Sequence, residues 1–224
     1  MKNKTLILYF LLLAVFSFYT PLIAQQHNDG ESEYLQKLLD GNKRFVEGKF
    51  SYKDYKTEVK ELANGQHPYA IILSCSDSRV PPEIIFDESM GKLFVVRVAG
   101  NIVDEIALGS IEYASEHLHA KLLVVLGHES CGAVTATIGG GEVTTNIEEI
   151  VKKISPAVEK AKKNHPENEV LHCAIKENVF NQIEESLKHS KLLTELHENG
   201  ELKIVGALYD INSGKVSILE HHKD

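Results

Sequence analysis

The sequence predicts an α/β protein: a single domain with a largely parallel central sheet flanked by helices, and a helical N-terminal arm. Three short runs of apolar, often β-branched residues at 69–74, 93–98 and 121–126 are typical of strands buried on both faces. A helical stretch at about 105–119 separates the second run from the third, as a parallel crossover requires. Strand and helix patterns that alternate in this way favour helices packed on a parallel sheet.

The other elements follow in chain order. Apolar residues recur at helical spacing over about 32–49, where Gly41-Asn42 is expected to interrupt the helix. Residues 202–210 and 215–220 are expected to close the chain as a hairpin around the Asn212-Ser213-Gly214 turn. Further helices are predicted at about 53–64, at 82–86 after the Pro81-Pro82 pair, at 132–138, at 146–163 and at 168–188.

Residues 1–24 predict a secretory signal peptide. Lys2 and Lys4 precede an apolar run at 6–18, and Ala24 precedes the expected cleavage point. A retained anchor is the competing interpretation, although the run is shorter than the roughly 20 residues that span a bilayer. We therefore expect one mature domain at 25–224, exported across the inner membrane to the periplasm, with no stable membrane association after cleavage.

Composition and charge argue against a nucleic-acid partner. The formal net charge is −8, and removal of a leader with two lysines and no acid makes it −10. Binding to phosphates requires clustered Lys and Arg, and the sequence has no such cluster. The mature length is sufficient for one domain with a hydrophobic core.

Two clusters of reactive side chains follow predicted strands. The segment from Cys75 to Arg79 follows the first strand, and the segment from His128 to Cys131 follows the third. The carboxyl ends of parallel strands form the edge where ligands bind in open α/β sheets. Two thiolates and one imidazole are good zinc ligands, and three protein ligands leave a position open for catalysis. The sequence therefore predicts one zinc ion per chain, held by Cys75, His128 and Cys131.

Each of these assignments has an alternative. In an exported protein Cys75 and Cys131 could instead form a disulfide, but that pairing gives the neighbouring acid, arginine and imidazole no role. Cys173, in a helical stretch, is expected to be a small buried apolar residue. Arg97 is open between an anion contact and a structural ion pair.

Asp77 lies two residues beyond Cys75 in sequence. From there it could accept a hydrogen bond from a zinc-bound water or take that water's place. Arg79, two residues further on, could hold the Asp77 carboxylate through a bidentate contact. The sequence leaves the resting site open or closed by Asp77.

Three blocks, Cys75-Ser-Asp-Ser-Arg79-Val-Pro81, Val96-Arg-Val-Ala-Gly-Asn101 and His128-Glu-Ser-Cys-Gly132, resemble the signature blocks of the β-class carbonic anhydrases. The resemblance extends from about Leu38 to the last hairpin. It implies a β-carbonic-anhydrase-like fold and a zinc lyase that converts carbon dioxide reversibly to bicarbonate and a proton. It also implies a homodimer or homotetramer, zinc ligation by the two cysteines and the histidine, and a catalytic dyad that orients zinc-bound hydroxide.

In this resemblance Asp77 and Arg79 match the catalytic dyad. Gln66 matches a glutamine that some members place in the active site across the dimer interface; the alternative is a solvated side chain. The N–H of Gly132 could orient substrate, or the glycine could only begin a helix that needs close approach. Two other functions remain open: hydrolysis of carbon disulfide or carbonyl sulfide on the same fold, and a zinc-binding or redox-sensing role without turnover.

Overall fold

A five-stranded sheet forms the centre of the computed structural model, which describes residues 29–220; the predicted signal peptide lies outside them. From Glu31 onward the chain forms one compact unit. The sheet order is β2-β1-β3-β4-β5, and only the β4–β5 pair is antiparallel. The strands are β1 (Ala70–Ser74), β2 (Leu93–Arg97), β3 (Leu122–His128), β4 (Lys203–Tyr209) and β5 (Val216–Leu219). The largely parallel sheet and the closing hairpin are confirmed.

Helices cover both faces of this sheet, as predicted. Because side chains alternate along a strand, Ile72 of β1 joins one hydrophobic core while Ile71 and Leu73 join the other. The helices are α1 (Asp29–Val46), α2 (Tyr55–Glu61), α3 (Pro82–Ile85), α4 (Glu105–Glu116), α5 (Gly132–Gly139), α6 (Thr145–Asn164), α7 (Val170–His189) and α8 (Lys191–Glu198). None of the helices in the described range combines the length and apolar character needed to cross a membrane.

The third strand is longer than predicted. It continues past 126, because Gly127 and His128 still pair with Leu208 and Tyr209 of β4. His128 is therefore the last residue of a buried strand rather than the first residue of a loop. Since β1 ends at Ser74 opposite Leu126, the chain segment at Cys75 and the end of β3 lie at the same edge of the sheet.

Helix α1 runs without a break through Gly41 and Asn42, so the predicted interruption is wrong. A Cβ atom on Gly41 would lie 1.8 Å from the carbonyl oxygen of Phe86, and only glycine permits this approach. The buried Asn42 side chain donates to the carbonyls of Ile85 and Gly214, at 3.2 and 2.9 Å. Two residues that locally resemble a helix break instead dock the helix against the domain.

Three smaller differences concern helix ends. The predicted 53–64 helix is α2 followed by a 3₁₀ turn at Leu62–Asn64. Helix α4 ends at Glu116, and the chain then turns at His119, whose φ of 56° lies in the left-handed region. Helix α8 was not predicted; the Ser190 hydroxyl caps its first turn by accepting a hydrogen bond from the N–H of Leu193.

Helix α7 packs closely on β3. The Cγ2 atom of Val179 lies 2.6 Å from the place where a Cβ atom of Gly127 would be, so the helix occupies space that any larger residue would need. The same helix carries three fully buried polar side chains, Asn178, Gln182 and Ser186. Their spacing of four residues puts them in one row along the helix.

Candidate active site

Three of the predicted site residues meet at the carboxyl edge of the sheet. One ligand atom each from Cys75, His128 and Cys131 lies within 4.8 Å of the others, and all three residues are buried. They come from the segment after β1, the end of β3 and the residue before α5. All three cysteines of the chain are free thiols, so the alternative Cys75–Cys131 disulfide is not formed.

His128 presents an unpaired nitrogen to this cluster. Its Nδ1 atom lies 2.9 Å from the carbonyl oxygen of Glu129. Because a carbonyl only accepts, Nδ1 carries the proton, and Nε2 keeps its lone pair. Nε2 is buried and has no hydrogen-bond partner among the described residues. A buried nitrogen without a partner reduces the free energy of unfolding unless something binds it. A cation bound by this nitrogen and the two cysteine sulfurs would be such a partner.

The two sulfurs differ in their affinity for a proton. The Cys131 thiol and the N–H groups of Asp77 and Gly100 donate to Cys75 and hold its pKa far below the usual range, although burial opposes them. The pKa of Cys131 is raised, because its thiol donates to Cys75 and because it is buried. Cys75 is therefore the thiolate of the pair, and a divalent cation would replace the proton of Cys131.

The loop around Cys75 is held by main-chain contacts. The N–H groups of Gly100 and Asp77 lie 3.2 and 3.4 Å from the Cys75 sulfur. The Arg97 guanidinium donates to the carbonyl oxygens of Cys75 and Asp77, at 2.9 and 2.5 Å. Arg97 makes no ion pair within the described part of the chain, and it fixes the loop that carries one ligand.

Asp77 and Arg79 form the bidentate pair that their spacing predicts. Arg79 donates through its Nε and a terminal nitrogen to the two carboxylate oxygens, at 2.9 and 2.7 Å. This contact, with burial opposing it, holds the pKa of Asp77 well below its usual value. Asp77 is not among the clustered ligand atoms of Cys75, His128 and Cys131. A longer contact of 3.4 Å from Arg79 to the Ser130 carbonyl links the two sequence clusters.

The two predicted substrate-binding residues have different positions. Gly132 begins α5 directly after Cys131, and a Cβ atom there would meet nothing within 4 Å, so close approach does not require this glycine. Gln66 is exposed in the segment before β1, at the opposite end of that strand from Cys75. The structure does not bring Gln66 to the site within one chain.

Sequence reasoning missed the polar row on α7. Asn178 donates to the carbonyl of Gly100 at 2.8 Å, and Gln182 accepts from the N–H of Val103 at 2.9 Å. The row thereby holds the segment that donates to the Cys75 sulfur. Amide side chains spaced by four residues on one helix face were a detectable signal, but nothing local shows that this face is buried.

Comparison with known proteins agrees with this geometry. Residues 70–216 match the family described as carbonic anhydrase. The chain is 37% identical over 197 residues to carbonic anhydrase 2 of Mycobacterium tuberculosis, a match covering 82% of this chain and 90% of that protein.

Solved structures give the same result. A Coccomyxa β-carbonic anhydrase in complex with acetazolamide is similar to this chain with a TM-score of 0.68 and 26% identity. The match covers 83% of this chain and 86% of the other. One of two tetrameric β-carbonic anhydrases from Sordaria macrospora has a TM-score of 0.67 with 26% identity, covering 84% of this chain and 98% of its own. β-Carbonic anhydrases use zinc, and the Cys75–His128–Cys131 cluster can bind it. On sequence, fold and ligand cluster together, the chain belongs to the β-class carbonic anhydrase family.

Proposed function

We propose that this enzyme interconverts carbon dioxide and bicarbonate at a single zinc ion held by Cys75, His128 and Cys131, with Asp77 and Arg79 as the catalytic dyad. The observation that carries the proposal is the buried, unpartnered Nε2 atom of His128 beside two cysteine sulfurs. A ligand set of three protein atoms leaves one position for the reacting oxygen.

The dyad has a definite role in this proposal. When bound, zinc supplies hydroxide at neutral pH by lowering the pKa of water, a property for which carbonic anhydrase is itself the standard example. The Oδ1 atom of Asp77 accepts from both the main-chain N–H and the Nε of Arg79, whereas Oδ2 accepts only from a terminal nitrogen of Arg79 among the described residues and keeps a second lone pair. That lone pair would accept the remaining proton of the nucleophile and so direct its oxygen toward carbon dioxide.

Arg79 acts by fixing Asp77. Its planar fork holds both carboxylate oxygens and keeps the group ionised, so that Asp77 accepts rather than donates. The N–H of Gly132 begins a helix and has no hydrogen-bond acceptor among the described residues. We assign it to the substrate oxygen that gains negative charge as bicarbonate forms.

Stopped-flow hydration of carbon dioxide by the zinc-loaded mature protein, at about pH 7 and about pH 8.5, tests the reaction. Rapid hydration that rises with pH is expected. Absence of hydration at both values, with one zinc per chain verified, would refute the proposal and favour carbon disulfide or carbonyl sulfide as substrate, or a binding role.

The dyad is tested separately by Asp77→Asn. Turnover should fall by about 10²-fold or more while zinc content stays at one per chain, because the amide can no longer act as an ionised acceptor. Asp40→Asn, at an exposed carboxylate on α1, is the matched control and should leave turnover unchanged. Zinc loss in the Asp77 variant would instead identify Asp77 as a resting ligand.

We also propose that the chain works as a homodimer or homotetramer. Exposed apolar side chains surround a cavity of about 660 Å³ beside α3, an unusual feature on a monomeric surface. They are Phe50, Tyr52, Tyr55, Ile84 and Met90. In such an assembly Gln66 would serve the site of a second copy, since it lies at the far end of β1 from its own site.

Mixing two inactive variants tests this arrangement. Gln66→Ala protomers and Asp77→Asn protomers, unfolded and refolded together, should recover about a quarter of the wild-type sites, because each heterodimer contains one intact combination. Each variant refolded alone serves as the control. A mixture that stays at the sum of its components, or a protein that is monomeric by light scattering, would exclude a shared site.

Export remains part of the proposal, and it is supported by the leader-like composition of residues 1–24. Fractionation of bacterial cells that express the full chain tests it. A periplasmic product that begins at residue 25 is expected. A product that retains Met1 in the membrane fraction would favour the anchor interpretation.

A further inference from the structure

A second set of metal-ligating side chains lies outside the active site. His165, Glu169 and Cys173 each place one ligand atom within 4.8 Å of the other two. In the described part of the chain, this set and the catalytic cluster are the two groups of three or more such residues. The proposed function uses none of the three.

The backbone holds these three residues in fixed relative positions. His165 directly follows α6, and its N–H donates to the carbonyl of Ala161 at 3.0 Å. Glu169 precedes α7, and the N–H of Cys173 donates to the Glu169 carbonyl at 3.0 Å, as in a regular helical turn. Residues four apart lie on one helix face, so the carboxylate and the sulfur face the same side.

The three side chains have no competing polar partner. Within the described range none of them makes a side-chain hydrogen bond or an ion pair, whereas Glu177, further along the same helix, pairs with Lys160 at 2.7 Å. Cys173 is half-buried against the core rather than fully buried as expected from the sequence. Packing therefore holds its side chain, while solvent can still reach it.

We propose that His165, Glu169 and Cys173 form a second zinc site, which joins the end of α6 to the start of α7. Sulfur, imidazole nitrogen and carboxylate oxygen are the three donor types that zinc accepts in a tetrahedral site, with water as the fourth ligand. Calcium and magnesium prefer oxygen donors, so the thiol selects against them. The bound ion would connect two consecutive helices across the turn at Pro166.

Zinc titration of the zinc-loaded full mature protein tests this proposal. Metal content after dialysis against micromolar zinc should rise from one to two ions per chain. In the same samples, alkylation of Cys173 by iodoacetamide should slow by about tenfold or more when zinc is added, because a ligated thiolate reacts poorly. Cys75 and Cys131 are buried in the catalytic cluster, so Cys173 dominates the labelling.

Single substitutions identify the ligands. In His165→Ala and Glu169→Gln, zinc should protect Cys173 much less, and Cys173→Ala should return the content to one ion per chain with unchanged turnover. Glu167→Gln, at an exposed carboxylate two residues before Glu169 and outside the cluster, is the matched control and should behave as wild type.

Two results would overturn the proposal. One is a content that stays at one zinc per chain together with no protection of Cys173. The other is a second ion that persists in Cys173→Ala, since that ion would be held elsewhere. Both results are independent of hydration activity, so they separate this site from the catalytic one.

Discussion

The side-chain amide of Asn178 donates a 2.8 Å hydrogen bond to the main-chain carbonyl of Gly100, and the N–H of Gly100 lies 3.2 Å from the sulfur of Cys75. A helix in the second half of the chain thus fixes a donor to a metal-ligating sulfur. Asn178 is completely buried, and its own carbonyl oxygen accepts from Gln182 at 3.0 Å. The Cys75 sulfur, the Gly100 carbonyl and the Asn178 side-chain oxygen thus each accept a hydrogen bond from the next residue in this series.

Asn178→Ala is expected to reduce the free energy of unfolding by about 1–3 kcal/mol, because it leaves the buried carbonyl of Gly100 unpaired. It should also speed zinc loss, because the Gly100 N–H is no longer held against the Cys75 sulfur. Urea unfolding and the rate of zinc transfer to a chelator measure the two effects. Ser186→Ala, at an equally buried α7 residue whose hydroxyl donates to the Gln182 carbonyl, should destabilise without changing zinc transfer. Equal transfer rates in both variants would contradict a positioning role.

Gly41→Ala should destabilise the protein by about 2–3 kcal/mol, although alanine is the better helix former. The new Cβ atom would lie 1.8 Å from a backbone oxygen of Phe86, which cannot move without displacing α3. Gly109→Ala in α4 is the matched control, since a Cβ there meets nothing within 4 Å. It should stabilise by about 0.5–1 kcal/mol. Thermal unfolding of both variants checks the opposite signs, and a stable Gly41 variant would refute the close packing.

Asp87 should contribute to stability in a pH-dependent way. Burial alone would raise the pKa of this carboxyl, but hydrogen bonds from Lys53 and Arg44 outweigh burial and hold it well below the usual range. A carboxyl with a lowered folded-state pKa stabilises at neutral pH and loses that contribution as the pH falls below its ordinary value of about 4.

Asp87→Asn should therefore cost about 3 kcal/mol at pH 7, because it leaves two cations beside a buried neutral group. The difference from wild type should shrink as the pH falls from about 5 toward 2. Urea unfolding of both proteins across this range provides the measurement. The substitution does not change the zinc ligands, so their contribution is the same in both proteins. A difference that is constant with pH would show that the ion pair does not stabilise the fold.

Gly132→Pro should reduce turnover by about 10²-fold while the fold and the zinc content are retained. Proline removes the N–H, but it is well tolerated at the first position of a helix, and the extended backbone of Cys131 suits a following proline. Gly132→Ala keeps the N–H, and its side chain has open space, so turnover should stay near wild type. Equal turnover in the two variants would remove the proposed role in substrate orientation.

Much of the fold and most of the site could be predicted from the sequence, because both depend on local patterns. The buried strands are marked by continuous apolar runs, and Cys75 lies at the end of one of them. Parallel strands bring their carboxyl ends together, so Cys75 and His128, 53 residues apart in sequence, were expected to meet. The Asp77–Arg79 pair was also predictable from a local pattern, since the two residues are only two positions apart in sequence.

What could not be predicted depends on contacts between distant segments. Gly41 and Asn42 have the local chemistry of a helix break, and only the Phe86 carbonyl explains why the helix continues. The length of β3 is set by its pairing with β4, which begins at Lys203, far along the chain. Asn178 looks like an ordinary polar helix residue until the Gly100 loop is placed beside it.

The contact between Val179 and Gly127 couples the metal centre to the core. Gly127 directly precedes the ligand His128, and Val179 directly follows Asn178, so one packing contact lies beside two residues that fix the site. The helix therefore cannot separate from the sheet without also disturbing the ligands. Unfolding should therefore release the zinc, and heating should give no long-lived partly unfolded state that keeps its metal.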